Sequence, residues 1–278
     1  MKLCTLSILA ASTLLSACGG GGGGVATSPK ITPVVASGPP PAGIGDVVGI
    51  VMPFRAARLE SDAGVGSTSR VEYSIEFTSA SDVVLNTPDG AVAMTDTGGG
   101  NFEGTLGGKS YAFQSTGAGS AYSDMWTLME GDGIAFQAAT VGYFGFEAPQ
   151  SRMDELNSIA ALAVYTGDSF ITFVDGGVAN TDSGVANLVV DFGAGTVTGQ
   201  VYQTANIDMN IVGGTINANG IDGTIALAGP DSVGYSLDSS DVDGQFYGLD
   251  ATELNGTFAG QGTGPSGDVE FAGGFAAN

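Results

Sequence analysis

Histidine is absent from all 278 residues. A Ser-His-Asp hydrolase, a His-bearing zinc site and a His-ligated haem each need an imidazole, so all three are excluded. Cysteine occurs only at Cys4 and Cys18. Basic residues are scarce: seven Lys and Arg stand against 29 Asp and Glu, the formal net charge is −22, and no basic residue follows Arg152. Such a chain repels a phosphate backbone, so nucleic acid is not a partner, and the protein surface does not attract anionic lipid. The only sustained apolar run, Leu3 to Leu15, falls short of the roughly 20 residues that a spanning helix needs.

That run begins after Lys2 and ends at Leu15-Ser16-Ala17-Cys18, directly before the glycines Gly19 to Gly24. A basic start, a short apolar core and small residues ahead of a cysteine form a bacterial lipoprotein processing site. Residues 1–17 are then a signal peptide and Cys18 is the lipid acceptor. An ordinary secretory signal with an incidental Cys18 is the alternative. Each buried CH₂ contributes about 0.8 kcal/mol, so two or three acyl chains hold a protein on a membrane where one tethers it reversibly. Removal of Cys4 with the signal leaves Cys18 alone, without a disulfide partner or a thiol for catalysis. Gly19 in place of Asp favours sorting to the outer membrane.

Residues 18–45 are rich in Gly, Ser, Pro and Ala and close on Gly38-Pro39-Pro40-Pro41-Ala42-Gly43, the composition of a flexible linker with a stiffened end. Its reach is about 30 Å at 5–6 Å × √n. Beyond it, the 47 glycines of the chain punctuate short Val/Ile/Phe/Thr-rich runs, a pattern of many strands and tight turns. Val71, Tyr73, Ile75 and Phe77 alternate with polar residues, as in a half-buried strand. Further strands are expected at 82–86, 101–106, 110–114, 125–129, 134–139 and 141–147, and the best helical stretch is Gln150 to Ala161. Val185 to Phe192 and Thr196 to Tyr202 flank Gly193-Ala194-Gly195 as a hairpin with a three-residue loop. More strands are expected at 160–165, 169–174, 207–216, 221–227, 244–248, 256–260 and 269–275. So many antiparallel strands favour closure into a barrel, which leaves no edge exposed, over a sandwich. The strands are short and lack an aromatic girdle, which argues against a membrane-embedded barrel.

The segment from Val242 to Gly260, with Gly244, Phe246, Tyr247, Gly248, Ala251, Glu253, Gly256 and Phe258, is followed by Gly273-Gly274-Phe275-Ala276. It resembles the closing strands of the transferrin-binding protein B-like surface lipoproteins, and the hairpin from Val190 to Gly199 resembles their middle strands. Asn255 stands where the family has the first of two paired glycines. The resemblance implies an all-β chain: a soluble eight-stranded antiparallel barrel at 156–278, preceded by a smaller β-rich handle-like domain at 46–155. It also implies an outer-membrane lipoprotein displayed outside the cell, capturing a host or environmental protein or a metal complex, often beside a TonB-dependent receptor. The motif residues read as structural. Gly244 and Gly248 allow close backbone approach or bulges, Phe246 and Phe258 fill the interior, Phe275 belongs to the motif's closing strand, and Glu253 caps the connection between two strands by accepting backbone N–H groups.

No residue is marked out as catalytic or metal-ligating, and no cofactor is implied. Asp238-Ser239-Ser240-Asp241-Val242-Asp243-Gly244 is dense in oxygen but lacks the later bidentate Glu of a Ca²⁺ loop, so it reads as solvated turn acids. Tyr122 and Trp126 are the candidate partner contacts, because exposed aromatics anchor interfaces. The chain is thus expected to bind a ligand for iron, haem or metal uptake without catalysing a reaction. Its rivals are an adhesive or structural envelope lipoprotein with a Ca²⁺-stabilised acidic surface, and a lipocalin-like small-molecule barrel with an apolar cavity.

Overall fold

A computed structural model describes residues 47–62, 65–117, 121–132, 136–175, 178–205 and 207–278. The segments expected to be a signal peptide and a linker, with Cys18 between them, lie outside the described residues. The first eight strands are β1 (Val51–Asp62), β2 (Val65–Phe77), β3 (Asp82–Thr87), β4 (Gly90–Gly98), β5 (Asn101–Leu106), β6 (Lys109–Ser115), β7 (Ser123–Gly131) and β8 (Phe136–Gly145). Each pairs antiparallel with the next, and β8 returns to β1 to close a barrel. The helix α1 (Gln150–Ser158) follows. Then come β9 (Leu162–Asp175), β10 (Val178–Asp191), β11 (Thr196–Gln203), β12 (Asp208–Asn217), β13 (Gly220–Ala228), β14 (Ser236–Tyr247), β15 (Glu253–Gly264) and β16 (Gly267–Ala277). In this second barrel β9 pairs with both β10 and β16, which closes the ring.

Alternation decides which side chains enter each barrel. Tyr73, Ile75 and Phe77 on β2 point inward to meet Phe54, Phe102, Phe113, Trp126 and Phe144 in an aromatic core. Trp126 stacks on Phe113 with ring centroids 4.6 Å apart, within the range of favourable aromatic pairs. The hairpin between β5 and β6 pairs Leu106 with Lys109 across Gly107-Gly108, whose φ values of +62° and +86° suit a two-residue turn that only glycine adopts without strain. In the second barrel Phe246 packs between Tyr165 and Phe192 at 5.8 and 5.4 Å. Met153 and Leu156 of α1 join that core and cover one end of the barrel.

The all-β barrel architecture expected from the sequence is present, and the N-terminal part goes further by closing into an eight-stranded barrel of its own. Strands β1 and β4 escaped the periodicity. In β1 the inward row includes Arg58, which meets Glu130 and donates to the Tyr73 hydroxyl at 3.1 Å, while Ala57 and Leu59 on the outward row are also buried. A strand buried on both faces does not alternate in polarity. The pieces expected at 160–165 and 169–174 are one strand, β9, running through Gly167 and Asp168. A Cβ at Gly167 would collide with the Ala276 carbonyl, so this glycine marks close strand approach and not a turn. The pieces at 134–139 and 141–147 likewise merge into β8. The loop after β10 also includes Phe192, since Asp191 pairs with Thr196. Asp238 to Gly244 is strand, within β14, and not the acidic turn that its composition suggested.

Candidate functional site

The C-terminal motif builds two surfaces at once. On the inner face of β15 and β16, glycine stands opposite phenylalanine in three registered pairs: Gly256 with Phe275, Gly273 with Phe258, and Gly260 with Phe271. Each ring lies over its glycine, so that a Cβ on Gly256 or Gly260 would sit 2.5 Å from the ring's Cζ atom. This is aromatic coverage of glycine across strands, and it fixes the register of the closing sheet. At Gly244 a Cβ would meet the Asn255 carbonyl and Ile221 Cγ1, both at 2.9 Å, so the strands pass close to one another there.

The outer face of the same strands packs on the first barrel. Ala259 and Ala272 cluster with Ala57, Leu59 and Val174, and Ala276 clusters with Met125 and Val141. Small side chains let the two sheets meet closely. Around this apolar seam Glu253, only 3% exposed, accepts the Tyr122 N–H at 2.9 Å and the Ser123 hydroxyl at 2.6 Å. Asn255 donates to the Ser123 hydroxyl oxygen at 2.9 Å. Arg70 donates to the Thr257 hydroxyl oxygen at 2.6 Å and pairs with Asp241, with Asp243 at 3.8 Å. The Tyr143 hydroxyl donates to Asp243 at 2.8 Å, and its ring meets Tyr247 edge-on at 6.1 Å. Burial pushes the pKa of both phenols well above the usual range. Ala251, at φ +54°, turns its carbonyl to accept the Tyr165 hydroxyl at 2.6 Å.

The candidate partner contacts require correction. Trp126 is 1% exposed inside the first barrel, and its indole N–H donates to Asp124 at 2.7 Å. Alternation on β7 turns it inward, so it cannot reach a partner. Tyr122 is half-buried at the seam: its carbonyl accepts the Phe146 N–H at 2.9 Å, and its ring crosses Gly248, where φ is +81°. It serves barrel-to-barrel contact. The acids of Asp238 to Gly244 include two that face Arg70, and among the described residues no three His, Cys, Asp or Glu side chains converge to hold a metal.

Open chemistry lies instead at the ends of the second barrel. Beneath α1 a hollow of about 340 Å³ is bordered by Met153, Asp154, Asn157, Phe192 and Ile216. At the opposite end, the mouth holds a pocket of about 150 Å³. Phe173, Ile207, Met209, Leu227 and Phe271 line its interior, with Asp182, Tyr202, Asp231 and Tyr235 also around it. The Tyr202 hydroxyl donates to Asp182 at 2.7 Å and the Tyr235 hydroxyl to Asp175 at 3.0 Å. Drug-sized ligands occupy roughly 300–1,000 Å³, so the mouth is too small for a lipocalin-type cargo. No local signal in the sequence points to it, because its lining is drawn from seven of the eight strands and their connections. All five basic residues among the described residues, Arg55, Arg58, Arg70, Lys109 and Arg152, form ion pairs with carboxylates. The acidic surface is therefore left without relief.

Residues 153–278 match the family model of the C-lobe and N-lobe β-barrels of transferrin-binding protein B. Among solved structures, the chain is similar to transferrin-binding protein B of Haemophilus parasuis Hp5 in a double-mutant form. The TM-score is 0.54 at 17% identity, over 81% of this chain and 44% of that one. Intact Ap-TbpB, with its N and C lobes, gives a TM-score of 0.52 at 18% identity, over 81% of this chain and 46% of that one. The chain thus spans less than half the length of either structure. No curated protein matches it. The second barrel is a transferrin-binding protein B-like β-barrel, and with the first it forms a two-barrel fold of the transferrin-binding protein B kind.

Proposed function

We propose that this chain is a surface lipoprotein of the outer membrane, anchored through Cys18, that captures a host or environmental protein or a metal complex for iron, haem or other metal uptake. The observation that carries the reading is the match of residues 153–278 to the barrels of transferrin-binding protein B, a protein named for binding transferrin. The processing site at Leu15 to Cys18 and the linker supply the anchor and the distance from the membrane. The two barrels share a buried seam, and contacts of that kind suit capture because they limit the ordering lost on binding. Delivery of a captured metal across the outer membrane falls to a TonB-dependent receptor. The chain acts by binding and not by catalysis.

Protease treatment of intact cells tests this, with a periplasmic protein as control and an antibody against the second barrel. Loss of the barrel signal while the control survives is the expected result, followed by recovery of an extracellular partner on the purified chain. Protection until the outer membrane is opened would overturn the reading.

A further inference from the structure

We propose that the mouth of the second barrel is a binding site for a small alkylammonium group, a role beyond the macromolecular capture argued above. The pocket has three properties that together select this chemistry. Its volume, about 150 Å³, is that of a cavity that accepts a benzene-sized body, and so admits a trimethylammonium head with a short tail. Its walls carry four aromatic rings, Phe173, Tyr202, Tyr235 and Phe271, and aromatic faces attract weakly hydrated organic cations through their quadrupoles. The lining also carries Asp182 and Asp231, which among the described residues pair with no cation of this chain.

Other ligand classes fit less well. An anion meets two carboxylates and no basic group, since no Lys, Arg or His follows Arg152. A divalent cation such as Ca²⁺ takes six to eight oxygen ligands, and the interior here is carbon. A neutral apolar body gains from the walls but nothing from the carboxylates. The tyrosine hydroxyls already donate to Asp182 and Asp175, which holds the rings in place at the mouth.

Choline and its uncharged isostere 3,3-dimethylbutan-1-ol, titrated into the purified chain by calorimetry and by NMR, are the direct probes. Choline binds about tenfold tighter than the alcohol if ring faces and carboxylates both contribute. The double variant Asp182→Asn, Asp231→Asn keeps the pocket shape and reduces that preference to about threefold or less. Leu227→Trp fills the pocket and abolishes binding of both, with the far-UV spectrum confirming a folded barrel. A short peptide bearing trimethyl-lysine, titrated alongside, separates a protein side chain from a free small molecule as the source of the group, and tighter binding of either supports the site. Equal affinity for choline and the alcohol, no binding of any ammonium probe by the folded chain, or undiminished binding in Leu227→Trp would each overturn the proposal. None of these outcomes depends on where the protein is displayed.

Discussion

Glu253, the first residue of β15, accepts the backbone N–H of Tyr122 at 2.9 Å across the junction of the two barrels. The same carboxylate receives the Ser123 hydroxyl, and Ser123 in turn accepts from Asn255. A strand end of one barrel is thereby fixed to the start of β7 in the other. The outward residues of the C-terminal motif, Tyr247, Glu253, Asn255 and Thr257, all meet the first barrel directly or through this network. The motif therefore specifies a partner surface within the chain as well as a barrel interior.

Replacing Glu253 with Ala should destabilise the protein by about 1–3 kcal/mol, because a buried N–H and a buried hydroxyl lose their acceptor. Glu253→Gln retains one acceptor oxygen and should recover part of the loss. Urea denaturation of both variants against the parent measures this. Full parental stability in Glu253→Ala would show that the clamp does not hold the barrels together.

The sequence made local relations legible and left relations between barrels hidden. Val71, Tyr73, Ile75 and Phe77 announce their strand because one face of β2 is core and the other is not. Glu253 was expected to accept backbone N–H groups, but its donor lies 131 positions away, beyond any local pattern. Trp126 and Tyr122 looked like anchors because sequence does not distinguish an aromatic that fills a barrel from one that faces a partner. Burial on both faces erased the alternation of β1, and the stretch around Gly167 falls between two expected strands because close strand approach and turns select the same residue. The barrel mouth gave no sign, since it exists only once distant strand ends converge.

Gly260 and Phe271 provide a test of the glycine-phenylalanine register. A methyl group at Gly260 would stand 2.5 Å from Phe271 Cζ and 3.0 Å from the Ser239 carbonyl oxygen. Gly260→Ala should therefore cost about 1–3 kcal/mol through overpacking. In a Phe271→Leu background the same substitution should cost less, giving a coupling of about 0.5–3 kcal/mol in a double-mutant cycle. Strict additivity in thermal and chemical denaturation would separate the two residues energetically.

Asp124 links the first barrel's core to pH. Burial raises its pKa above the ordinary 3.8, although the Trp126 indole, the Met125 N–H and Ser115 donate to it and oppose the rise. The folded form then binds the proton more tightly than the unfolded form does. Its contribution to stability is complete below the unfolded value and is lost as pH rises through the folded one. Asp124→Asn, which retains an acceptor for the indole but cannot ionise, should gain on the parent as pH goes from 3.5 to 7. Denaturant midpoints across that range give the slope, and a pH-independent difference would count against a buried, ionisable Asp124.

Arg70 is a cation of the seam, reaching from β2 to Asp241 and Asp243 on β14 and to Thr257 on β15. Its ion pairs are partly exposed, with 32% of the Arg70 side chain and 47% of Asp241 accessible, so their own worth is about 1 kcal/mol or less. The setting adds to this, because in a chain of net charge −22 removal of a cation also leaves two neighbouring carboxylates unopposed. Arg70→Gln should therefore destabilise the protein more at low ionic strength than in 1 M salt, where the screening length falls to about 3 Å. Pairing Arg70→Gln with Asp241→Asn and Asp243→Asn should remove most of that salt dependence, since the carboxylates that Arg70 neutralises are then gone. Stability curves for the single and triple variants at 20 mM and 1 M NaCl decide it. An Arg70→Gln penalty unchanged by salt would assign the role of Arg70 to its hydrogen bonds with Thr257 and not to its charge.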